Sequence, residues 1–81
     1  MPTVAQFDYE PPFLFENHHI KPDFLLYLTR GDITLVEIKA SWIFTLSPDH
    51  KVWRRLDLSK RLSESRGWGF EIWTEKELWG T

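Results

Sequence analysis

Two runs of apolar, strand-forming residues, 23–29 and 33–39, flank the turn Arg30-Gly31-Asp32 in the segment KPDFLLYLTRGDITLVEIKAS. A glycine-containing turn between two such runs makes a β-hairpin. Phe24, Leu25, Leu26 and Leu28 leave neither face of the first strand polar, so that strand belongs in the interior of a sheet, covered on both sides. The rest of the chain has to supply neighbours and cover for this hairpin. Three charges interrupt it, Asp23, Glu37 and Lys39, and a charge inside a central strand needs a reason, because burying it without a partner costs several kcal/mol.

The 81 residues provide for one small domain, 1–81, with a single core. A content of 42% hydrophobic and 16% aromatic residues, with five Trp, is enough for that core and leaves aromatics over to cover a partner. The lack of cysteine excludes a disulfide framework and a thiolate zinc site, and predicts a reducing, cytoplasmic setting. No apolar run approaches the roughly 18–20 residues of a membrane span, and MPTVAQFDYE has neither the basic region nor the apolar stretch of a signal peptide. A soluble intracellular protein is expected. The net charge of −2 argues against a nonspecific basic coat for nucleic acid, yet its distribution is uneven. Between 51 and 66, Lys51, Arg54, Arg55, Lys60, Arg61 and Arg66 stand against Asp57 and Glu64, whereas residues 1–23 hold Asp8, Glu10, Glu16 and Asp23 against Lys21. An acidic front and a basic helix suit a site that takes a cation on one side and a polyanion along the other, although most charge runs are merely a solvated helix face.

Periodicity orders the remaining elements as strand, strand, hairpin, helix, strand, short helix. Residues 3–9 alternate weakly as a strand, Pro11-Pro12 breaks the run, and PFLFEN resumes an extended segment. Ser47-Pro48 predicts a helix start, with a hydroxyl cap and proline in the first turn, and the helix runs to Arg66 before Gly67. Val52, Trp53, Leu56, Ser59, Leu62 and Ser63 share its packing face. WGFEIW, 68–73, is a further strand, and Thr74 with Glu77 forms a capping box for a last short helix.

Residues two apart on a strand share a face, so Glu37 and Lys39 project together. With Arg30-Gly31-Asp32 as the loop, Thr29 pairs with Ile33, Asp23 falls opposite Lys39, and all three charges meet at one end of the hairpin. Two adjacent carboxylates raise each other's pKa unless positive charge intervenes. A hard divalent cation supplies that charge, and magnesium needs few protein oxygens, leaving positions for a phosphate and an attacking water.

Pro22-Asp23, a hairpin, then Glu37-Ile38-Lys39 resembles the motif of the PD-(D/E)xK nuclease superfamily. PDFLLYL and LVEIKA are similar to the versions in phage Holliday-junction resolvases and TnsA-type transposon-end endonucleases, and the resemblance extends less sharply through GWGFEIWTEKEL, covering about residues 7 to 79. It implies an α/β, restriction-endonuclease-like minimal core: a central mixed sheet with one main helix and a short C-terminal helix, the family's N-terminal helix missing. It further implies that Asp23 and Glu37 ligate Mg2+, for which Mn2+ substitutes, with the Ile38 backbone carbonyl as a further ligand and Lys39 orienting the nucleophilic water. Many members carry another acid on the helix before the first strand. Glu10 in YEPPF and Glu16 in FEN are the substitutes on offer, and Glu10 is preferred because it ends a strand that can lie beside the hairpin, an exposed strand-end glutamate being an equal reading. The missing cover is one that a second copy would supply in a homodimer.

The expected function is a magnesium-dependent DNA endonuclease hydrolysing phosphodiesters, selective for branched DNA and acting as a Holliday-junction resolvase. The alternatives are a transposon-end, flap or duplex endonuclease, or a catalytically inactive DNA-binding or assembly subunit. Lys51, Arg54, Arg55, Lys60 and Arg61 are expected to contact phosphates, which position a duplex without reading its sequence. His18 and His19 read as loop residues and His50 as a surface or capping residue of the first helical turn. Of the Trp residues at 42, 53, 68, 73 and 79, most are assigned to the core, with Trp42 the nearest to the Lys39 strand.

Overall fold

The computed structural model describes residues 3–79, so the ends of the expected 1–81 domain, residues 1, 2, 80 and 81, lie outside the described residues. The elements are β1 (Val4–Tyr9), β2 (Phe13–Phe15), β3 (His18–Ile20), β4 (Phe24–Leu28), β5 (Ile33–Ile38), a 3-10 turn (Ser41–Thr45), α1 (Lys51–Ser65), β6 (Gly69–Trp73) and α2 (Glu75–Trp79). Four strands make one sheet in the order β1-β4-β5-β6, and β2 pairs with β3 in a separate small hairpin. β1, β4 and β5 are antiparallel, while β6 runs parallel to β5, as the intervening α1 crossover demands. The result is a small α+β domain with a mixed sheet, one main helix and one short helix. Among the described residues no helix is long and apolar enough to cross a membrane.

The doubly apolar hairpin takes the middle of the sheet, where Leu35 and Val36 are both 0% exposed. Its register differs from the expected one. Tyr27, not Thr29, pairs with Ile33, and Leu25 pairs with Leu35. The loop is Thr29-Arg30-Gly31, closed by the Leu28 amide donating to the Asp32 carbonyl at 2.8 Å and the Gly31 amide donating to Leu28 at 2.9 Å. Gly31 has φ +96°, the left-handed third position that a three-residue hairpin loop needs, and this fixes the register. Extending the pairing from Phe24↔Val36 brings Asp23 opposite Glu37 rather than Lys39. The correction is an even number of residues, so every side chain keeps its face.

PFLFEN is not one extended segment. It turns back at Glu16-Asn17, whose φ values of +50° and +64° are those of a type I′ turn, and pairs Phe15 with His18. His18 and His19 therefore lie on a strand and not in a loop. This hairpin lies over the same sheet face as α1: Ile20, Leu25, Leu35 and Leu62 form the buried cluster, with Phe13, Phe15, Tyr27, Leu58, Trp68 and Phe70 packed around it.

Helix α1 starts at Lys51, three residues later than Ser47-Pro48 predicts. His50 is its cap, Nδ1 accepting from the Val52 amide at 3.1 Å, while the Ser47 hydroxyl is bonded to Asp49 instead. Its packing face is as expected, with Leu56, Ser59, Leu62 and Ser63 buried. At its end Gly67, φ +73°, donates to the Glu64 carbonyl at 3.1 Å and Trp68 donates to Ser63 at 2.9 Å, the paired bonds of a Schellman cap. The capping box of α2 also forms: the Thr74 amide and hydroxyl both donate to Glu77 Oε2, at 3.0 and 2.6 Å.

Candidate active site

Odd-numbered residues of β4 and β5 face α1, and this face carries all three charges of the hairpin. Asp23 and Glu37 clasp each other through the backbone. The Ile38 amide donates to Asp23 Oδ2 at 2.6 Å, and the Asp23 amide donates to Glu37 Oε1 at 3.3 Å. The other Glu37 oxygen, Oε2, accepts from the Ser59 hydroxyl of α1 at 2.7 Å. Glu37 is 7% exposed, a rare burial for an acid that has no ion-pair partner among the described residues. Burial pushes its carboxyl up from the ordinary 4.5, the Ser59 hydrogen bond and the Lys39 charge pull it partly back, and the Asp23 charge adds to the rise. A buried acid beside a second acid is therefore held against its own electrostatics, a pattern typical of functional sites.

The proline of the motif has a physical consequence of its own. Continuing the β4–β5 register sets Pro22 opposite Ile38, and the pairs Leu26↔Thr34 and Phe24↔Val36 are followed two residues on by this one. A strand residue presents its amide and carbonyl on the same side, so the Ile38 carbonyl faces the same strand as its amide. Proline has no N–H to give it. The ladder therefore supplies no donor from position 22 to that carbonyl.

Lys39 is half-buried, and its amide donates to the Trp73 carbonyl at 2.9 Å, which anchors the motif's last residue to β6. Asp23, Glu37 and Lys39 line one cavity of about 710 Å³. One wall is β3 and the segment after it, with His18, His19 and Lys21; the other is the first turns of α1, with His50, Lys51, Arg55 and Ser59. Lys21, Lys39, Lys51 and Arg55 thus outnumber the two acids, and the cavity suits a polyanion that reaches a cation-binding floor. Lys51 opens a helix whose first turn has no acid, so its charge opposes the helix dipole. Helix stability gives no reason for a lysine there, whereas a ligand phosphate does.

The other expected site residues are placed differently. Arg54 and Lys60 are exposed and do not line the cavity. Arg61 is engaged by Glu16 and by Asp57, the latter at 2.9 Å. Only Lys51 and Arg55 of the five expected phosphate contacts reach the site. Glu10 sits beside Asp23 in the sheet, its amide donating to the Asp23 carbonyl at 2.9 Å, but it does not line the cavity. Its side chain raises the Tyr9 pKa through a hydrogen bond and its charge. Glu16 lies at the turn of the β2–β3 hairpin, tied to Arg61. Trp42 is exposed, and Trp53 packs on Phe44 with ring centroids 5.8 Å apart.

Sequence reasoning missed Lys21, the histidine wall and Ser59. Lys21 directly precedes the Pro-Asp pair and was the one of these with a readable signal. Among the described residues no group of three or more His, Asp or Glu side chains converges as a metal cage. Two carboxylates and a backbone carbonyl remain, an all-oxygen set of the kind that suits magnesium better than zinc. Comparisons with family models, curated proteins and solved structures return no match for this chain.

Proposed function

We propose that this protein is a metal-dependent DNA endonuclease that hydrolyses phosphodiester bonds, with branched DNA such as a four-way junction as its substrate. The observation that carries this reading is the clasped Asp23–Glu37 pair beside Lys39, on the floor of a cavity whose walls bear Lys21, Lys51 and Arg55. Two carboxylates drawn together and partly withdrawn from water are costly, and a divalent cation offsets that cost. Asp23, Glu37 and the Ile38 carbonyl would hold Mg2+ or Mn2+. When bound, the ion supplies Lewis acidity toward a phosphoryl oxygen and lowers the pKa of a water.

The chain's own groups account for the rest. The charged Lys39 ammonium has three N–H donors and no acceptor, so it orients a water by donating to its oxygen and stabilises charge gathering on the phosphate. In the reaction the water oxygen forms a bond to phosphorus, the bond to the leaving sugar oxygen breaks, and the water's proton passes to solvent while the leaving oxygen is protonated. Lys21, Lys51 and Arg55 hold flanking phosphates without reading bases, so selectivity falls to DNA shape. Resolving a junction needs two cuts, and a homodimer would bring two sites.

The test uses purified protein with labelled four-way junction, flap, transposon-end and linear duplex DNA, each with and without Mg2+. Magnesium-dependent cutting that is fastest on the junction is expected. Faster cutting of a flap, an end or a duplex keeps the nuclease and replaces the substrate. Salt-sensitive binding with no cutting under any condition favours a DNA-binding or assembly subunit. No salt-sensitive affinity at all rejects both.

A further inference from the structure

We propose that Ser59 is a positioning residue, which fixes the carboxylate of Glu37 so that its remaining lone pairs are presented to a divalent cation; this rests on the nuclease reading of the site. The three serines of α1 can be compared. Ser63 donates to the Lys60 carbonyl and Ser65 to the Leu62 carbonyl, each at 2.7 Å, the local back-bonding that serine ordinarily makes in a helix. Ser59 instead reaches out of its helix and donates to Glu37 Oε2 at 2.7 Å. Ser59 and Ser63 are 1% and 0% exposed, so burial does not distinguish them. Only the target of the hydroxyl does.

The effect on Glu37 is geometric. Its Oε1 is held from the β4 side by the Asp23 amide and its Oε2 from the helix side by Ser59. Donors on both oxygens fix the plane of the carboxyl group. With one donor, a side chain of three rotatable bonds pivots about the other. Removing the Ser59 oxygen also takes from Oε2 the donor that α1 supplies. The helix thus acts as more than cover: its one outward-directed hydroxyl couples the packing of α1 to the orientation of a ligand on β5.

The experiment measures Mn2+ affinity of the intact chain without DNA, by the paramagnetic resonance of free Mn2+, in wild type, Ser59→Ala, Ser63→Ala and Ser59→Thr. Ser59→Ala is expected to weaken Mn2+ binding by about 10- to 100-fold, the usual effect of losing a hydrogen bond to a metal ligand. Ser63→Ala is expected to stay within about twofold of wild type. Ser59→Thr keeps the hydroxyl and is expected to recover most of the affinity, and where its added methyl unfolds the chain the alanine pair decides. In DNA cleavage Ser59→Ala lowers kcat and leaves KM for DNA unchanged. Wild-type Mn2+ affinity in Ser59→Ala, or an equal loss in Ser63→Ala, overturns the inference while a wild type that binds Mn2+ and cuts DNA keeps the nuclease. A wild type that does neither removes both.

Discussion

On the face of the sheet under α1, Glu37 holds a carboxylate at 7% exposure, while on the opposite face Phe7 and Tyr9 hold aromatic rings at 57% and 67% exposure. The covered face buries a charge beside its apolar cluster, and the far face, where Leu26 and Val36 are buried, shows hydrocarbon only toward β1. Cover explains both. Beneath α1 and the β2–β3 hairpin, an acid is satisfied by Ser59 and by the backbone of β4. Toward β1, Val4, Phe7, Phe24, Leu26 and Trp73 line an apolar groove of about 240 Å³, and the rings are steadied by each other, Phe24 lying 5.8 Å from Phe7 and 5.5 Å from Tyr9. The difference teaches that the polar cluster is not a sheet-edge salt bridge. It is enclosed by a second layer, and enclosure is what gives its charges chemical force.

If the covered face is the catalytic one, the largest effect belongs to Lys39. Lys39→Ala is expected to lower magnesium-dependent cleavage by roughly 10²- to 10⁴-fold. Its circular dichroism should match wild type, because among the described residues Lys39 makes no side-chain hydrogen bond or ion pair. Cutting at the wild-type rate would show that the chemistry lies elsewhere. Next in size is Leu62, 0% exposed at the meeting of α1 and the sheet. Leu62→Ala is expected to cost about 2–5 kcal/mol in urea unfolding, the cavity it leaves being closed to water. A loss below 1 kcal/mol would mean that α1 is not firmly seated, and the enclosure argument would weaken with it.

Much of this contrast was readable beforehand. A first strand apolar on both sides could only be central, and Leu56, Ser59, Leu62 and Ser63 recur at helical spacing on one side. Gly67 and the Thr74–Glu77 pair marked helix ends because their chemistry has few other uses. The misreadings came where two local signals competed. Thr29-Arg30-Gly31 and Arg30-Gly31-Asp32 both offer a loop with glycine, and only the left-handed demand at the third position separates them. Ser47-Pro48 is a stronger sequence cue for a helix start than His50, yet the cap formed at His50. The β2–β3 hairpin has no glycine at all. Its type I′ turn uses Glu16-Asn17, and a glutamate at positive φ is a choice that pattern cannot foresee. With that hairpin unseen, the wall bearing His18, His19 and Lys21 was unseen too. Ser59 falls on the packing face, where a small residue reads as a spacer until the carboxylate above it is known.

A smaller effect sharpens the comparison through pH. Because burial raises the Glu37 pKa, the native state holds the proton more tightly than the unfolded chain does. The stability this contributes is fully present below the ordinary value of 4.5 and is lost as pH rises through the raised value. Above that raised value, without divalent metal, the fold carries an ionised buried acid. Glu37→Gln is expected to flatten this part of the pH dependence, to raise the midpoint in urea at pH above the raised value, and to abolish the stabilisation by Mn2+ that the proposed site predicts for wild type. A variant less stable than wild type at neutral pH would indicate that Glu37 is already offset by partners within the chain.

The smallest effect is expected on the open face. Phe7 is more than half exposed, and among the described residues its one close aromatic contact is Phe24, so Phe7→Ser should change the unfolding free energy by no more than about 1 kcal/mol. Sedimentation gives the same substitution a second use. A fold that leaves Phe7 and Tyr9 in water as a monomer should become more soluble with no change in mass. If instead the wild type sediments as a dimer and Phe7→Ser as a monomer, the open face is a covered one in solution. The asymmetry between the two faces would then be a property of the isolated chain alone, and the cost of Phe7→Ser would rise with protein concentration, as it must when burial is shared between copies.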